Sequence, residues 1–151
     1  QGPQVMQGYW QRPEAAAGAF ATREDGRWLR TGDVAAIDAE GYVKIVDRIK
    51  DMIAVGGFKV FPSQVEAVLL QHPAVKEALV IGVPDDYRGE APRAFVTLAE
   101  DQSATGDELK DWLNSRIGKH ERVDQVVIRE ELPKTMVGKL DRKALRAELG
   151  L

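Results

Sequence analysis

Three loops and one hairpin turn carry residue types that could do chemistry. Thr31-Gly32-Asp33 places a carboxylate on a turn. There it can accept hydrogen bonds from two vicinal ribose hydroxyls, as the acidic residue of a dinucleotide fold does. It also reads as an ordinary turn aspartate. Asp47-Arg48-Ile49-Lys50-Asp51 offers a planar guanidinium to hydroxyl or phosphate oxygens, or it is a solvated linker. In Pro133-Lys134-Thr135-Met136-Val137-Gly138-Lys139 a proline and a glycine bracket a mobile segment that ends on a lysine. Such a lysine can bring one positive charge to a reaction centre, or it is an exposed loop lysine. Gly56-Gly57 is a two-residue hairpin signal. It is also a place where a ligand can approach the backbone, because no Cβ intervenes.

Other chemistries drop out. The 151 residues include no cysteine, which excludes disulfides, thiolate metal sites and a cysteine nucleophile. His72 and His120 are the only histidines and lack metal-ligand spacing, so they read as surface or capping residues and no metal ligand is assigned. G-x-S-x-G and H-E-x-x-H are missing, and Gly138-Lys139 lacks the rest of a Walker loop. With 44% hydrophobic and 30% charged residues the composition is that of a folded globular chain. A net charge of −3 shows no basic excess for nucleic acid. No apolar run reaches the roughly 20 residues of a membrane span, and no leader-like segment opens the chain. The expected location is cytoplasmic, with an oligomer left open.

Secondary-structure signals place these loops. Gln4-Val5-Met6 reads as a short strand, Glu14-Ala15-Ala16-Ala17 as one helical turn after Pro13, and Arg27 to Arg30 as a strand. Val34–Ile37 and Tyr42–Val46 flank a turn and read as a hairpin. Met52–Val55 and Phe58–Phe61 form another around Gly56-Gly57. Ser63 and Glu66 have capping-box spacing, and Val65, Val68 and Leu69 form the apolar stripe of the helix they would open. Val75–Val83 and Ala94–Leu98 read as strands separated by a polar loop at 84–90. Thr105 and Glu108 make a second capping box before the stripe Leu109, Trp112, Leu113, Ile117, which Gly118 ends. Val123–Ile128 reads as a strand, and Asp141 caps a last helix with Leu145 and Leu149 inward. The expected fold is α+β: a β-hairpin and a short mixed sheet flanked by helices, preceded by a β-rich segment too short for its own core.

Taken together, the loops resemble the AMP-forming acyl-CoA synthetases of the adenylate-forming superfamily. Gly2 to Trp10 looks like a motif near the end of that family's large domain. Trp28 to Asp33 resembles its ribose motif, and Asp47–Asp51 with Gly56–Pro62 and Glu66 its hinge-and-hairpin motif. Pro133-Lys134-Thr135 with Gly138-Lys139 and Arg142 resembles its catalytic-lysine motif. The resemblance implies that residues 1–47 are the tail of a large N-terminal domain and 48–151 a mobile C-terminal domain. It implies ATP with Mg2+, the metal held by the large domain, and CoA as cosubstrate, working through an acyl-adenylate. Asp33 and Arg48 would bind nucleotide, Lys139 would be catalytic, Lys50 the hinge, and Gly56, Gly57 and Phe58 the CoA-side hairpin. Partners would be the large domain, CoA and the acyl-adenylate, and the chain alone would be inactive. A fatty acid or related apolar carboxylate is the expected substrate. An adenylation domain loading a carrier protein, or a non-enzymatic interaction domain, are the alternatives. The chain departs from the family at Ala54, where some relatives carry lysine, and at Val137, where Ser or Thr is common.

Overall fold

The computed structural model describes residues 2–151. Its centre is a mixed sheet built on a long hairpin. β7 (Val75–Asp85) and β8 (Gly89–Leu98) pair antiparallel along their whole length. The other edge of β8 takes β5 (Ile53–Val55) at one end, and β5 pairs with β6 (Phe58–Val60). Farther along that edge lies β9 (Val126–Ile128), parallel to β8.

Alternation along β7 explains why its sequence is almost continuously apolar. Ala78 and Val80 point to one face, where they join Leu69, Leu109 and Leu113 from helices α2 (Pro62–Leu69) and α3 (Gly106–Asn114). Leu79, Ile81 and Val83 point to the other, where they meet Phe95, Leu132 and Leu145 of α4 (Arg142–Glu148). A strand covered on both faces has no polar side to show.

The preceding residues add little to this core. Helix α1 (Pro13–Ala19) has no buried residue. β1 (Phe20–Arg23) pairs with β2 (Gly26–Leu29), and β3 (Asp33–Ile37) with β4 (Val43–Arg48), as two separate antiparallel ribbons. Among the described residues of this segment, Phe20 is the only buried hydrophobic. Ile37, Tyr42, Val43 and Ile45 of the second ribbon are exposed, as are Tyr9 and Trp10. Trp28 is half-buried, its indole N–H donating to Asp25.

The structure differs from the sequence reading at several places. Gln4–Met6 is not a strand, since no neighbouring strand pairs with it. The helix after Pro13 runs to Ala19, longer than one turn. Asp47 and Arg48 belong to β4 rather than to a linker, and Ile49–Asp51 is a 3₁₀ turn. The polar 84–90 segment is mostly strand, closed by a tight turn at Asp86–Arg88. Helix α3 ends at Asn114, before Ile117. Its Thr105–Glu108 capping box is present, with both reciprocal bonds made. The Ser63–Glu66 box is not: helix α2 has no side-chain cap of its own, because both residues bond elsewhere.

The β7–β8 turn is tied by one carboxylate. Asp85 accepts hydrogen bonds from the Tyr87 and Arg88 amides at 3.1 and 2.7 Å and from the Arg88 guanidinium at 2.9 Å. The Arg88 side chain, then its amide, hold the Asp85 carboxyl down to about 2. The lowered value means that this group's contribution to stability is present above the ordinary 3.8 and is lost as pH falls toward about 2. A carbon-detected NMR titration should place Asp85 near 2, and Arg88→Ala should move it back toward an ordinary aspartate. An ordinary value in the unaltered chain would refute this account of the turn. The turn also supports the Gly56-Gly57 hairpin: the Gly56 N–H donates to the Arg88 carbonyl at 2.8 Å, and Glu90 accepts from the Ala54 N–H at 2.8 Å.

Candidate functional site

Asp33 and Arg48 open and close the β3–β4 ribbon, so antiparallel pairing sets them side by side. The Arg48 Nε lies 3.6 Å from the Asp33 carboxylate. The guanidinium is largely exposed and the Asp33 carboxylate partly so, and the pair adds little stability. Gly32, at φ 79°, makes the bend that delivers Asp33 to the strand start, and its carbonyl accepts from the Ile49 N–H at 2.9 Å. The turn that carries Asp33 and the start of the 49–51 turn are thereby joined.

Lys139 sits on a loop that is closed on itself. Thr135 donates its N–H to the Lys139 carbonyl at 2.7 Å, and its hydroxyl oxygen accepts from the Lys139 N–H at 3.2 Å. Gly138, at φ 77°, donates back to the Thr135 carbonyl at 2.8 Å. Met136 and Val137 stand exposed at the tip. The base is pinned by Lys134, whose ammonium lies 2.6 Å from Glu77 on β7, and by Asp141, which caps α4 through the Lys143 and Ala144 amides. The loop is closed by its own hydrogen bonds, and the hydroxyl that takes part is that of Thr135.

The two halves face one cleft of about 610 Å³, lined among others by Asp33, Arg48, Lys50, Asp51, Ser63, Thr135, Lys139 and Arg142. Among the described residues, the Lys139 and Lys50 ammoniums have no carboxylate within ion-pair distance. The two ammoniums without an acidic partner and the exposed guanidinium beside Asp33 suit a ligand with anionic oxygens and hydroxyls. No group of three acidic or histidine side chains placed to take a metal occurs among the described residues.

Arg142 is the support behind this cleft. Its Nη2 donates to both Glu66 oxygens at 2.6 Å, its Nε to the Val80 carbonyl at 3.3 Å, and its Nη1 lies 4.0 Å from Asp51. Glu66 also accepts from the Val80 N–H at 2.7 Å. Burial pushes the Glu66 carboxyl above its ordinary value, an effect that Arg142 and the Val80 amide only partly offset. Helix α2, strand β7 and the 49–51 turn therefore meet at one guanidinium.

The structure brings together four of the sequence-selected residues: Asp33, Arg48, Lys50 and Lys139. It sets Gly56, Gly57 and Phe58 elsewhere. Gly56 and Gly57 have φ 56° and 86°, the turn that a two-residue hairpin requires, and neither lines the cleft. Phe58 stacks on His120 with ring centroids 3.7 Å apart. His72 accepts from the Ala74 N–H and meets the edge of Trp112. Sequence reasoning missed Asp47 and misread Ser63. Asp47 is buried and takes both the Ser63 amide and its hydroxyl. Only its place immediately before Arg48 hinted at a role.

Residues 64–139 match the family described as AMP-binding enzyme C-terminal domain, and the chain belongs to that family. It is 46% identical over 147 residues to a long-chain-fatty-acid–CoA ligase of Bacillus subtilis (strain 168), covering 97% of this chain and 26% of that protein. The chain thus spans about a quarter of the length of the curated relatives it matches. Its fold superposes on ATP-bound MatB from Rhodopseudomonas palustris with a TM-score of 0.89 at 34% identity, over 98% of this chain and 29% of that one. With apo MatB the TM-score is 0.68 at the same identity and coverage. With the o-succinylbenzoate CoA synthetase of Bacillus subtilis in complex with its acyl-adenylate intermediate it is 0.81, at 37% identity over 97% of this chain and 29% of that one. The fold is α+β, as the sequence implied, and no helix among the described residues is long and apolar enough to cross a membrane.

Proposed function

We propose that this chain works as the C-terminal part of a longer ATP-dependent CoA ligase for a long-chain fatty acid or related apolar carboxylate. The observation that carries the reading is the cleft in which Asp33, Arg48, Lys50 and Lys139 meet. In the first step a carboxylate oxygen bonds to the α-phosphorus of ATP, and the bond to pyrophosphate breaks. Asp33 accepts hydrogen bonds from the ribose hydroxyls, and Arg48 donates to the same region. Lys139 sets its ammonium between acyl and phosphate oxygens. In the second step the CoA sulfur bonds to the acyl carbon, the bond to AMP breaks, and the thiol proton is released. The residues that follow Lys50 turn about it between the steps, and the Gly56-Gly57-Phe58 hairpin then faces the adenylate, its glycines letting the pantetheine arm pass. Mg2+ would neutralise phosphate charge when bound. Its ligands belong to the large domain preceding this chain, and residues 1–47 are the edge that packs on it. The substrates ATP and CoA put this work in the cytoplasm.

The enzyme that carries this chain is expected to form acyl-CoA, AMP and pyrophosphate from a long-chain fatty acid, CoA and MgATP. The 151 residues alone are expected to show no carboxylate-dependent ATP–pyrophosphate exchange. Exchange by the chain alone, or acceptance of a carrier-protein thiol in place of CoA, would overturn the corresponding part of the proposal.

A further inference from the structure

Asp47 and Ser63 lie on opposite sides of Lys50 in the chain and are hydrogen-bonded to each other. One Asp47 oxygen accepts from the Ser63 N–H at 2.9 Å and from the Ser63 hydroxyl at 2.6 Å. The other accepts from the Arg48 N–H at 2.8 Å. Asp47 is 6% exposed, and a carboxylate so placed is tolerable only with its oxygens occupied. It also does the work of a missing local cap. Helix α2 starts with Pro62 after Phe61, which offers no side-chain acceptor. The carboxylate from β4 takes the Ser63 amide instead and lies at the positive end of the helix.

We propose that this contact is a latch across the hinge and that Ser63 is a positioning residue for adenylate formation. The proposal rests on the hinge reading given above. Asp47 holds Arg48 through its amide on one side and α2 on the other, so closing the latch presents Arg48 and Asp33 to Lys139. The other ion pairs near the cleft do not span the hinge. Asp33–Arg48 lies wholly before Lys50, and Glu66–Arg142 and Asp51–Arg142 wholly after it. Each rides with one side. A turn of residues 51–151 about Lys50 would carry Ser63 away from Asp47 and break both bonds at once, the behaviour of a two-state contact rather than a graded one. The chain is nearer in arrangement to ATP-bound MatB than to apo MatB.

The absence of cysteine makes the latch directly measurable. Glu40→Cys and Asp111→Cys, both exposed and on opposite sides of the hinge, carry spin labels for a distance measurement in the full 151-residue chain. One narrow distance population is expected. Ser63→Ala should raise the share of a second population roughly tenfold, the effect of losing one hydrogen bond to a charged group. Ser63→Thr, which keeps the hydroxyl, should restore the parent distribution. An unchanged distribution in Ser63→Ala overturns the latch. In the full-length enzyme Ser63→Ala should lower ATP–pyrophosphate exchange about tenfold and leave thioester formation from supplied acyl-adenylate within about twofold. Equal losses in the two half-reactions overturn the positioning role. If the parent enzyme formed no adenylate, the functional reading would fall and the distance measurement alone would decide the latch.

Discussion

Lys139→Ala, made in the enzyme that carries this chain, is expected to slow carboxylate-dependent ATP–pyrophosphate exchange by about 10²–10³-fold. Thioester formation from supplied acyl-adenylate should fall far less. In the proposed first step a carboxylate meets an α-phosphate, and two anions approaching to bonding distance repel each other. An ammonium bridging the oxygens offsets that repulsion and fixes the line of attack. The second step joins a sulfur to an already neutral acyl carbon and leaves no such repulsion for Lys139 to offset.

The structure makes Lys139 suited to that asymmetry. Its ammonium has no acidic partner among the described residues, so no ion pair has to be broken before ligand binds. Its backbone is held at both N–H and carbonyl by Thr135, which restricts where the long side chain can start. Lys139→Arg should recover only part of the rate, because a planar fork on a longer stem cannot reproduce a point charge at the same place. Equal losses in the two half-reactions for Lys139→Ala would contradict the role assigned to it.

Much of the fold was legible wherever local rules and tertiary packing agree. The Gly56-Gly57 turn, the Thr105–Glu108 box and the Asp141 cap each follow from their own few residues, and each is present. Val75–Val83 could be read as a strand, but not that both its faces are covered. The failures occur where a side chain bonds across long sequence separation. Ser63 and Glu66 have capping-box spacing, yet Asp47 and Arg142 claim them. A local pattern cannot announce a competitor 16 or 76 residues away. Asp47 looked like a solvated linker charge because nothing near it in sequence says that α2 lacks a cap. The cleft shows the same division. Its four polar residues were chosen from loops whose types suit nucleotide chemistry, but Thr135, which closes the Lys139 loop, and Arg142, which ties Glu66, Val80 and Asp51 together, act through geometry that spacing does not encode.

Arg142→Ala should be the most destabilising single change in the cleft, costing about 3 kcal/mol in chemical denaturation of the chain near neutral pH. The guanidinium is 22% exposed and its partner Glu66 13%, so neither is a surface charge that water can readily satisfy. Removing the arginine leaves the Glu66 carboxylate with only the Val80 amide as a favourable partner, against burial and the nearby Asp47 charge. The Glu66 pKa is already raised, so the folded chain holds that proton more tightly than the unfolded one. Its contribution to stability is therefore complete below the ordinary value of 4.5 and is lost as pH rises through the higher folded value. Without Arg142 the folded value climbs further, so the stability deficit of Arg142→Ala should shrink as pH is lowered toward 4.5. Glu66→Gln should cost less than Arg142→Ala, because it leaves the arginine its Val80 and Asp51 contacts and removes a charge that was expensive to bury. A loss below about 1 kcal/mol for Arg142→Ala, the size typical of exposed pairs, would show that this guanidinium does not join α2, β7 and the 49–51 turn as described. The same variant separates stability from catalysis. If Arg142 only ties α2, β7 and the 49–51 turn together, the full-length enzyme carrying Arg142→Ala should lose adenylate formation in step with its loss of folded protein, whereas Lys139→Ala should leave the denaturation midpoint unmoved.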